Sequence, residues 1–371
     1  MNPYAAAAGP ILLAAGGTGG HMFPAEALAR ALIARGRQVV LVTDRRGKAF
    51  GDRLPEVAVH RIHAAGLAGA SPLSRAAGIV SLALGYLQAH RLLARLRPAL
   101  VVGFGSYASV PTVWAAQHAG TPTLLHEQNA VLGRANRLLA TRARAVATSF
   151  PETSALGKAS PRLTGNPVRP AIAALAERPY PANDRPFRLL VLGGSQGARV
   201  FSRLIPAALA ALAPEQSRHV AIAQQCRPED LDQARRTYEG LGLAAELAAF
   251  FTDVADRLAI SHLVISRSGA STVAELAAAG RPAILVPYPH ATDDHQTANA
   301  AAFAAAGGGW LMPEAETTPE SLAKRLASLL AAPDILATAA KAARRFGERD
   351  AARQLADLAE ELAGRPKQEA A

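Results

Sequence analysis

The sequence predicts an α/β chain built from two successive doubly wound parallel sheets. Three observations carry that prediction. Short apolar runs alternate with longer helix-like segments, and the runs are near-continuously apolar, as strands covered on both faces are. The alternation stops at a proline-rich interval and then restarts. In both halves, apolar runs break into glycine-rich turns that reopen as helices, an arrangement that aims bare backbone N–H groups at an anion.

Taken in order, the first half gives strands at 11–15, 38–43, 100–103, 123–126 and 143–148, with helices such as 24–35 and 111–119 between them. Pro161, Pro167, Pro170, Pro179, Pro181 and Pro186 then crowd into an interval that cannot hold regular structure for long. The pattern restarts with strands at 188–192, 220–224, 247–250, 263–266 and 282–287, and closes with an amphipathic helical tail over 333–363. The expected division is a first domain over 1–165, a linker over 166–187, a second domain over 188–340 and a C-terminal helix with its tail over 341–371. Ligands of open α/β sheets bind beyond the carboxyl ends of the strands, so a cleft between the two domains is the expected active site.

Composition narrows the class. The 371 residues suffice for two ordinary domains, and the apolar content excludes a disordered chain. A lone cysteine, Cys226, excludes an internal disulfide and a cysteine-based metal site, and fits a reducing compartment. The first apolar stretch lacks a basic leader and flows into a glycine loop, so it reads as a strand rather than a signal peptide. The apolar stretch at 76–90 is too short to span a bilayer, which takes roughly 20 residues. Charge is uneven: residues 1–170 carry 19 Lys and Arg against 6 Asp and Glu, and the remainder carries 21 against 23. The first half therefore seeks an anionic partner.

The chemistry sits in the loops. Gly16-Gly17-Thr18-Gly19-Gly20-His21 sets a titratable imidazole beside the first anion loop. Gly103-Phe104-Gly105-Ser106-Tyr107 and Gly193-Gly194-Ser195-Gln196-Gly197-Ala198-Arg199 repeat the device. A fourth turn, Ser266-Arg267-Ser268-Gly269-Ala270-Ser271-Thr272, runs through Val273 and Ala274 to Glu275, a carboxylate suited to ribose hydroxyls. Asp293-Asp294-His295-Gln296 forms a polar loop suited to sugar hydroxyls. No strict G-x-G-x-x-G with a ribose carboxylate roughly twenty residues on supports a nicotinamide oxidoreductase. The basic residues lack the interleaved aromatics of a nucleic-acid-binding module, so no nucleic acid is expected.

In that order, and with His126-Glu127-Gln128-Asn129 and Gly165-Asn166-Pro167-Val168-Arg169, these motifs closely resemble the family 28 glycosyltransferases that add N-acetylglucosamine in peptidoglycan synthesis. The resemblance covers nearly the whole chain. It implies the GT-B fold, two Rossmann-like domains with an interdomain cleft, the acceptor lipid on the first and the nucleotide sugar mainly on the second, with a C-terminal helix over 341–371 that crosses back to the first domain. It implies UDP-N-acetylglucosamine as donor and undecaprenyl-pyrophosphoryl-MurNAc-pentapeptide as acceptor, with contacts to other cell-wall synthesis proteins left open. Carried residue by residue, it implies that Thr18, Gly19 and Gly20 approach the donor, that Asn129 contacts the sugar, and that Arg169 and Ser195 meet the diphosphate. The backbone at Phe251 would read uracil, Ala270, Ser271, Thr272, Val273, Ala274 and Glu275 would hold phosphate and ribose, and Gln296 with His295 would bind the sugar hydroxyls. Gly16, Gly17, Gly103, Gly105 and Ser106 are the expected acceptor phosphate loops.

The implied reaction inverts configuration: the acceptor C4 hydroxyl displaces UDP from C1 of the sugar. His21 is the first choice of base, because an imidazole titrates near working pH, with Asp44 and Glu127 as rivals or as orienting groups. No carboxylate cluster resembles an Asp-x-Asp metal site, so neither metal nor other cofactor is expected. Ile79, Val80, Leu82, Ala83, Tyr86 and Leu87, with Arg75, Arg91 and Arg95, form an expected patch for an anionic membrane surface, which places the enzyme peripherally on the cytoplasmic face of the inner membrane. The alternative on the same fold is a UDP-sugar 2-epimerase or another lipid glycosyltransferase. An epimerase would leave the basic, patch-bearing first half without a use.

Overall fold

The computed structural model describes residues 9–16, 19–44, 54–65, 72–182, 186–194, 198–348 and 350–364. The chain divides into one unit of residues 1–168 with 350–371, and a second of residues 169–349.

In chain order the first unit holds β1 (Ile11–Ala14), α1 (Gly19–Ala34), β2 (Val39–Thr43), β3 (Ala58–Arg61), α2 (Pro72–Leu96), β4 (Leu100–Gly103), α3 (Ser106–His118), β5 (Thr123–Glu127), α4 (Arg134–Ala140), β6 (Ala145–Thr148) and β7 (Pro161–Leu163). The second holds α5 (Pro170–Ala173), β8 (Phe187–Leu192), α6 (Arg199–Ala210), α7 (Pro214–Ser217), β9 (Val220–Gln225), α8 (Leu231–Gly240), β10 (Ala245–Ala248), α9 (Val254–Ile260), β11 (Leu263–Ser266), α10 (Ala270–Ala279), β12 (Ala283–Leu285), α11 (His295–Ala305), β13 (Gly309–Leu311), α12 (Pro319–Ala331) and α13 (Pro333–Phe346). A last helix, α14 (Ala351–Leu362), belongs to the first unit.

Both sheets are wholly parallel and share one order. The first runs β3-β2-β1-β4-β5-β6-β7 and the second β10-β9-β8-β11-β12-β13, so each reverses direction beside its first strand. Strand β1 pairs Ile11 with Val39 on one side and with Leu100 on the other. Its side chains then part by the two-residue period of a strand. Ile11 and Leu13 join a core with Leu28 and Leu32 of α1, while Leu12 and Ala14 join an opposite core with Leu93, Val110 and Val113. The second sheet repeats the plan with Leu189 and Val191 packed on Phe201 and Ile205 of α6 and Leu322 and Leu326 of α12.

The helical tail is two helices rather than one. Helix α13 packs in the second unit, with Leu336 in its core, whereas α14 buries Leu355, Ala356, Leu358 and Ala359 in the first unit's core against α1. Arg35 adds ion pairs of 2.7 and 2.8 Å to Asp357 and Glu360. Burying each leucine contributes about 1.5–3 kcal/mol, against about 1 kcal/mol or less for an exposed pair, so packing holds α14 in place. The proline-rich interval is also more than a connector: α5 and the 3₁₀ turn Ala174–Glu177 bury Ile172 and Leu175 within the second unit.

Three strands escape the apolar-run pattern, and all three are edge strands. β3 and β7 are partly or fully exposed along their length and carry His60, Arg61, Pro161 and Arg162, while β13 has only three residues. An edge strand is covered on fewer sides and needs less apolar sequence. The strand expected at 247–250 also lies earlier, at β10. Helices α1 and α3 each begin five residues before the proline that marks their expected start, Pro24 and Pro111 respectively. That shift carries Gly19, Gly20 and His21 from the loop into the first turn of α1.

Candidate active-site residues at the two sheet ends

The first unit gathers its polar residues at the carboxyl ends of β1, β2, β4 and β5. Gly16 follows β1 so closely that a side chain there would meet the Ala108 Cβ at 2.4 Å and the Asp44 carboxylate at 3.2 Å. Gly103 likewise has no room, with Val113 2.7 Å from the place a Cβ would take. These two expected phosphate-loop glycines are therefore required by the packing of α3 on the strand ends. Gly105 differs, since its φ of 80° with ψ of −163° is open only to glycine, and it lets the chain turn directly into α3. Ser106 follows at φ 63°, and its Oγ lies 3.5 Å from the Ala108 N–H. Gly17, Thr18 and Ser195 lie outside the described residues.

His21 is half-buried in the first turn of α1, and its Nδ1 lies 3.0 Å from the Gln128 Oε1. Asp44, the residue after β2, is 3 % exposed and is neighboured by Gly16. Glu127, the last residue of β5, is 2 % exposed and fully engaged. Its Oε1 accepts from the backbone and side-chain N–H of Asn129 at 3.0 and 3.2 Å. Its Oε2 accepts from the Gly133 N–H at 2.8 Å and the Asn136 amide at 2.9 Å. Four donors fill the lone pairs of this carboxylate, which orients Asn129 and the start of α4. Of the three expected base candidates, Glu127 is thus committed to its own loop.

The second unit presents helix starts instead. Helix α10 opens after Gly269 with no side-chain cap and no acidic residue in its first turn, so its first N–H groups point outward from Ala270, Ser271 and Thr272. Helix α12 is capped instead, where Thr318 and Ser321 cap each other's backbone. One turn further into α10, Glu275 accepts from the Arg169 Nε at 2.9 Å. Burial pushes the Glu275 carboxyl above its ordinary value, with the Arg169 charge working against it. The pair uses one carboxylate oxygen and Nε, which leaves the second oxygen and the terminal guanidinium nitrogens for a ligand. Val273 is buried in the body of the helix and Ala274 is half-buried beside Glu275.

Helix α11 is reached through Asp293 and Asp294, both in the left-handed region at φ 53° and 50°. Two such residues in succession are costly and hold the chain in a sharp entry that sets His295 and Gln296 in the first turn. The His295 Nδ1 donates to the Thr292 carbonyl at 2.7 Å, which leaves Nε2 as its acceptor. The Gln296 Oε1 accepts from the Tyr288 N–H at 2.9 Å, which leaves its NH₂ as donor. Phe251 is buried, with the Arg257 guanidinium 3.9 Å above its ring, and Arg257 is itself held by Glu246 and Asp253.

Several organising residues were not singled out by the sequence. Gln225, at the carboxyl end of β9, accepts from the Gly193 N–H and donates to the Gly194 and Ala249 carbonyls, tying the third glycine loop to the segment before Phe251. Asn299 donates to the Ser268 carbonyl, and the Ser268 hydroxyl donates to the Gln296 carbonyl. The signal for Gln225 was present, as a polar residue closing an apolar strand. Asn299 lies inside a helix, where nothing local marks it. Among the described residues, no three of His, Cys, Asp or Glu converge in a way that could hold a metal ion.

Comparison with known proteins shows the family of the chain. The glycosyltransferase family 28 N-terminal domain matches residues 11–148, and the family 28 C-terminal domain matches residues 188–355. A protein of Rhodospirillum centenum is 58 % identical over 96 % of this chain and 95 % of its own. One of Rhodospirillum rubrum is 56 % identical over 94 % and 90 %. Both are named UDP-N-acetylglucosamine--N-acetylmuramyl-(pentapeptide) pyrophosphoryl-undecaprenol N-acetylglucosamine transferase. Among solved structures, MurG of Acinetobacter baumannii is 31 % identical with a TM-score of 0.78, over 95 % of this chain and 99 % of that one. With both domain models in sequence order on two parallel sheets, and near-full-length relatives at this identity, the chain belongs to glycosyltransferase family 28.

Proposed function

We propose that this protein is an N-acetylglucosaminyltransferase of peptidoglycan synthesis. It moves N-acetylglucosamine from UDP-N-acetylglucosamine to the C4 hydroxyl of the MurNAc in undecaprenyl-pyrophosphoryl-MurNAc-pentapeptide, converting lipid I to lipid II with inversion. The observation that carries this reading is the near-full-length identity to relatives whose names state the transfer.

The residues support a division of labour. His21 takes the proton of the attacking hydroxyl as that oxygen bonds to C1 and the bond from C1 to the UDP oxygen breaks. The charge developing on UDP is met by the uncapped N–H groups of α10, by Arg169 and by Ser195, with Gly19 and Gly20 also approaching the donor. Glu275 receives the ribose hydroxyls, the backbone at Phe251 reads uracil, and Asn129, His295 and Gln296 bind the sugar. The leaving group needs no metal in this scheme; activity lost to a chelator and restored by one divalent ion would overturn that point.

The first unit also meets the membrane. Ile79, Val80, Leu84 and Leu87 of α2 are 45–60 % exposed, and Trp114 of α3 is exposed beside Tyr86. Of the expected face, Ile79, Val80, Ala83 and Leu87 are exposed and Leu82 and Tyr86 are half-buried, and Leu84 adds to it. Arg91 and Arg95 are exposed further along α2, and the side chain of Arg75 lies outside the described residues. No single described helix is long and apolar enough to cross a bilayer. An apolar face flanked by basic residues fits peripheral attachment to anionic lipid, at the cytoplasmic face where the acceptor is made.

The deciding experiment supplies purified protein with labelled UDP-N-acetylglucosamine and lipid-linked MurNAc-pentapeptide. Label should move into the lipid product. Recovery of epimerised donor with no transfer would defeat the reading.

A further inference from the structure

We propose that Gln128 is a positioning residue that fixes His21 in the tautomer with its proton on Nδ1 and its lone pair on Nε2, through a relay anchored by His126 and the Gly165 carbonyl. The inference rests on the reading of His21 as the base, and it says which ring nitrogen does the work and what holds it so.

The relay is settled from its far end, where only one assignment of hydrogens is open. The Gly165 carbonyl can only accept, so the His126 Nε2, 3.1 Å away, carries a hydrogen. His126 is fully buried, and burial brings its pKa down to about 4, so the ring is neutral and its Nδ1 is a bare acceptor. The Gln128 amide nitrogen lies 2.8 Å from that Nδ1 and donates to it. The same nitrogen lies 3.2 Å from the Phe104 carbonyl and 3.1 Å from the His126 carbonyl. A reversed amide would press its oxygen against two carbonyl oxygens, so the orientation is fixed by acceptors on every side. The Gln128 Oε1 must then face His21 and accept from its Nδ1–H at 3.0 Å. Free imidazole side chains favour the hydrogen on Nε2, so this environment selects the less common tautomer.

The chemical consequence is direct. A neutral His21 with its hydrogen on Nδ1 has its lone pair on Nε2, ready to take a proton from the acceptor hydroxyl. Gln128 is 2 % exposed and reaches His21 from the end of the β5 strand. It is well placed to act through His21 and badly placed to touch substrate.

The test is ring-nitrogen NMR on the full chain labelled with ¹⁵N-histidine, with the His21 signal identified by its absence in His21→Gln. In the unaltered protein at neutral pH, the expected pattern is a hydrogen on Nδ1 and none on Nε2; the reverse pattern overturns the proposal with no substitution needed. In Gln128→Met, checked for folding by thermal unfolding, the tautomer should become mixed. Its kcat should fall roughly 10- to 100-fold while KM for UDP-N-acetylglucosamine stays within about twofold. A Gln128→Met protein with an unchanged His21 tautomer also overturns the proposal, whatever its activity. A shifted tautomer with unchanged kcat upholds the relay and removes His21 as the base.

Discussion

The two sheets share one strand order and end in different chemistry. At the first sheet the carboxyl ends of β4 and β5 are joined by a buried network, in which Glu127, Gln128, His126 and Asn136 share hydrogen bonds and His21 stands at its edge. At the second sheet the corresponding ends lead into α10 and α11, and an only partly buried ion pair between Arg169 and Glu275 stands near the start of α10. The first arrangement fixes the direction of a proton, which demands defined donors and acceptors in a dry setting. The second offers positive field and backbone donors, which suits a diphosphate and tolerates solvent. One topology therefore supplies two kinds of site, and the side chains at strand ends decide which.

The comparison breaks most sharply at His21. His21→Gln should lower kcat about 10²–10⁴-fold and leave the affinity for UDP, read by calorimetry, within about twofold. A parallel loss of UDP affinity would place His21 with the donor rather than with the proton.

A second difference lies in pH. His126 has a folded pKa of about 4 against 6.5 when exposed, so below pH 6.5 the unfolded chain takes up a proton that the folded one refuses. Its contribution is fully present above pH 6.5 and falls as pH drops through 4, a loss that amounts to about 3 kcal/mol at the acid end. The difference between wild type and His126→Phe in denaturant midpoints, measured across that window, should shrink by this amount at low pH. A difference that is flat with pH would mean that His126 is not held neutral.

At the second sheet, Glu275→Gln should weaken UDP binding roughly 10- to 100-fold, the range for losing hydrogen bonds to a charged acceptor. The same substitution should leave the His21 tautomer unchanged, since it acts on the other kind of site. Binding that is unaffected would remove Glu275 from the ribose.

The smallest effect concerns the surface. Arg91→Ala and Arg95→Ala should each cost about 1 kcal/mol of binding to vesicles containing anionic lipid, with the loss fading at high salt. Equal binding of both variants to anionic and neutral vesicles would leave only the apolar face of α2 as the attachment.

Much of this was legible from residues alone. The buried strands β1, β2, β4, β8 and β11 are mostly apolar because helices cover both faces, and that run is visible without a structure. The edge strands β3 and β7 were hidden by His60, Arg61, Pro161 and Arg162, since an edge tolerates polar side chains. Pro24 and Pro111 misplaced two helix starts, because proline favours a first turn yet here stands in the second. The motif containing His126, Glu127, Gln128 and Asn129 was visible as a motif, but its division of roles was not. Glu127 closes β5 and Gln128 follows it, and only the partners each meets distinguish Glu127, closed around its loop, from Gln128, which reaches His21.

The sequence by itself determined the two parallel sheets, the family, and the glycine turns at the strand ends, because apolar periodicity and backbone freedom are local properties. The tertiary structure alone decided that Gly16 and Gly103 serve packing and that the helical tail breaks into α13 and α14, one packed in each unit. It also decided that the His21 hydrogen bond runs to a glutamine 107 residues away. These depend on which distant groups meet, and a hydrogen-bond donor has no assigned acceptor until the fold brings one within reach.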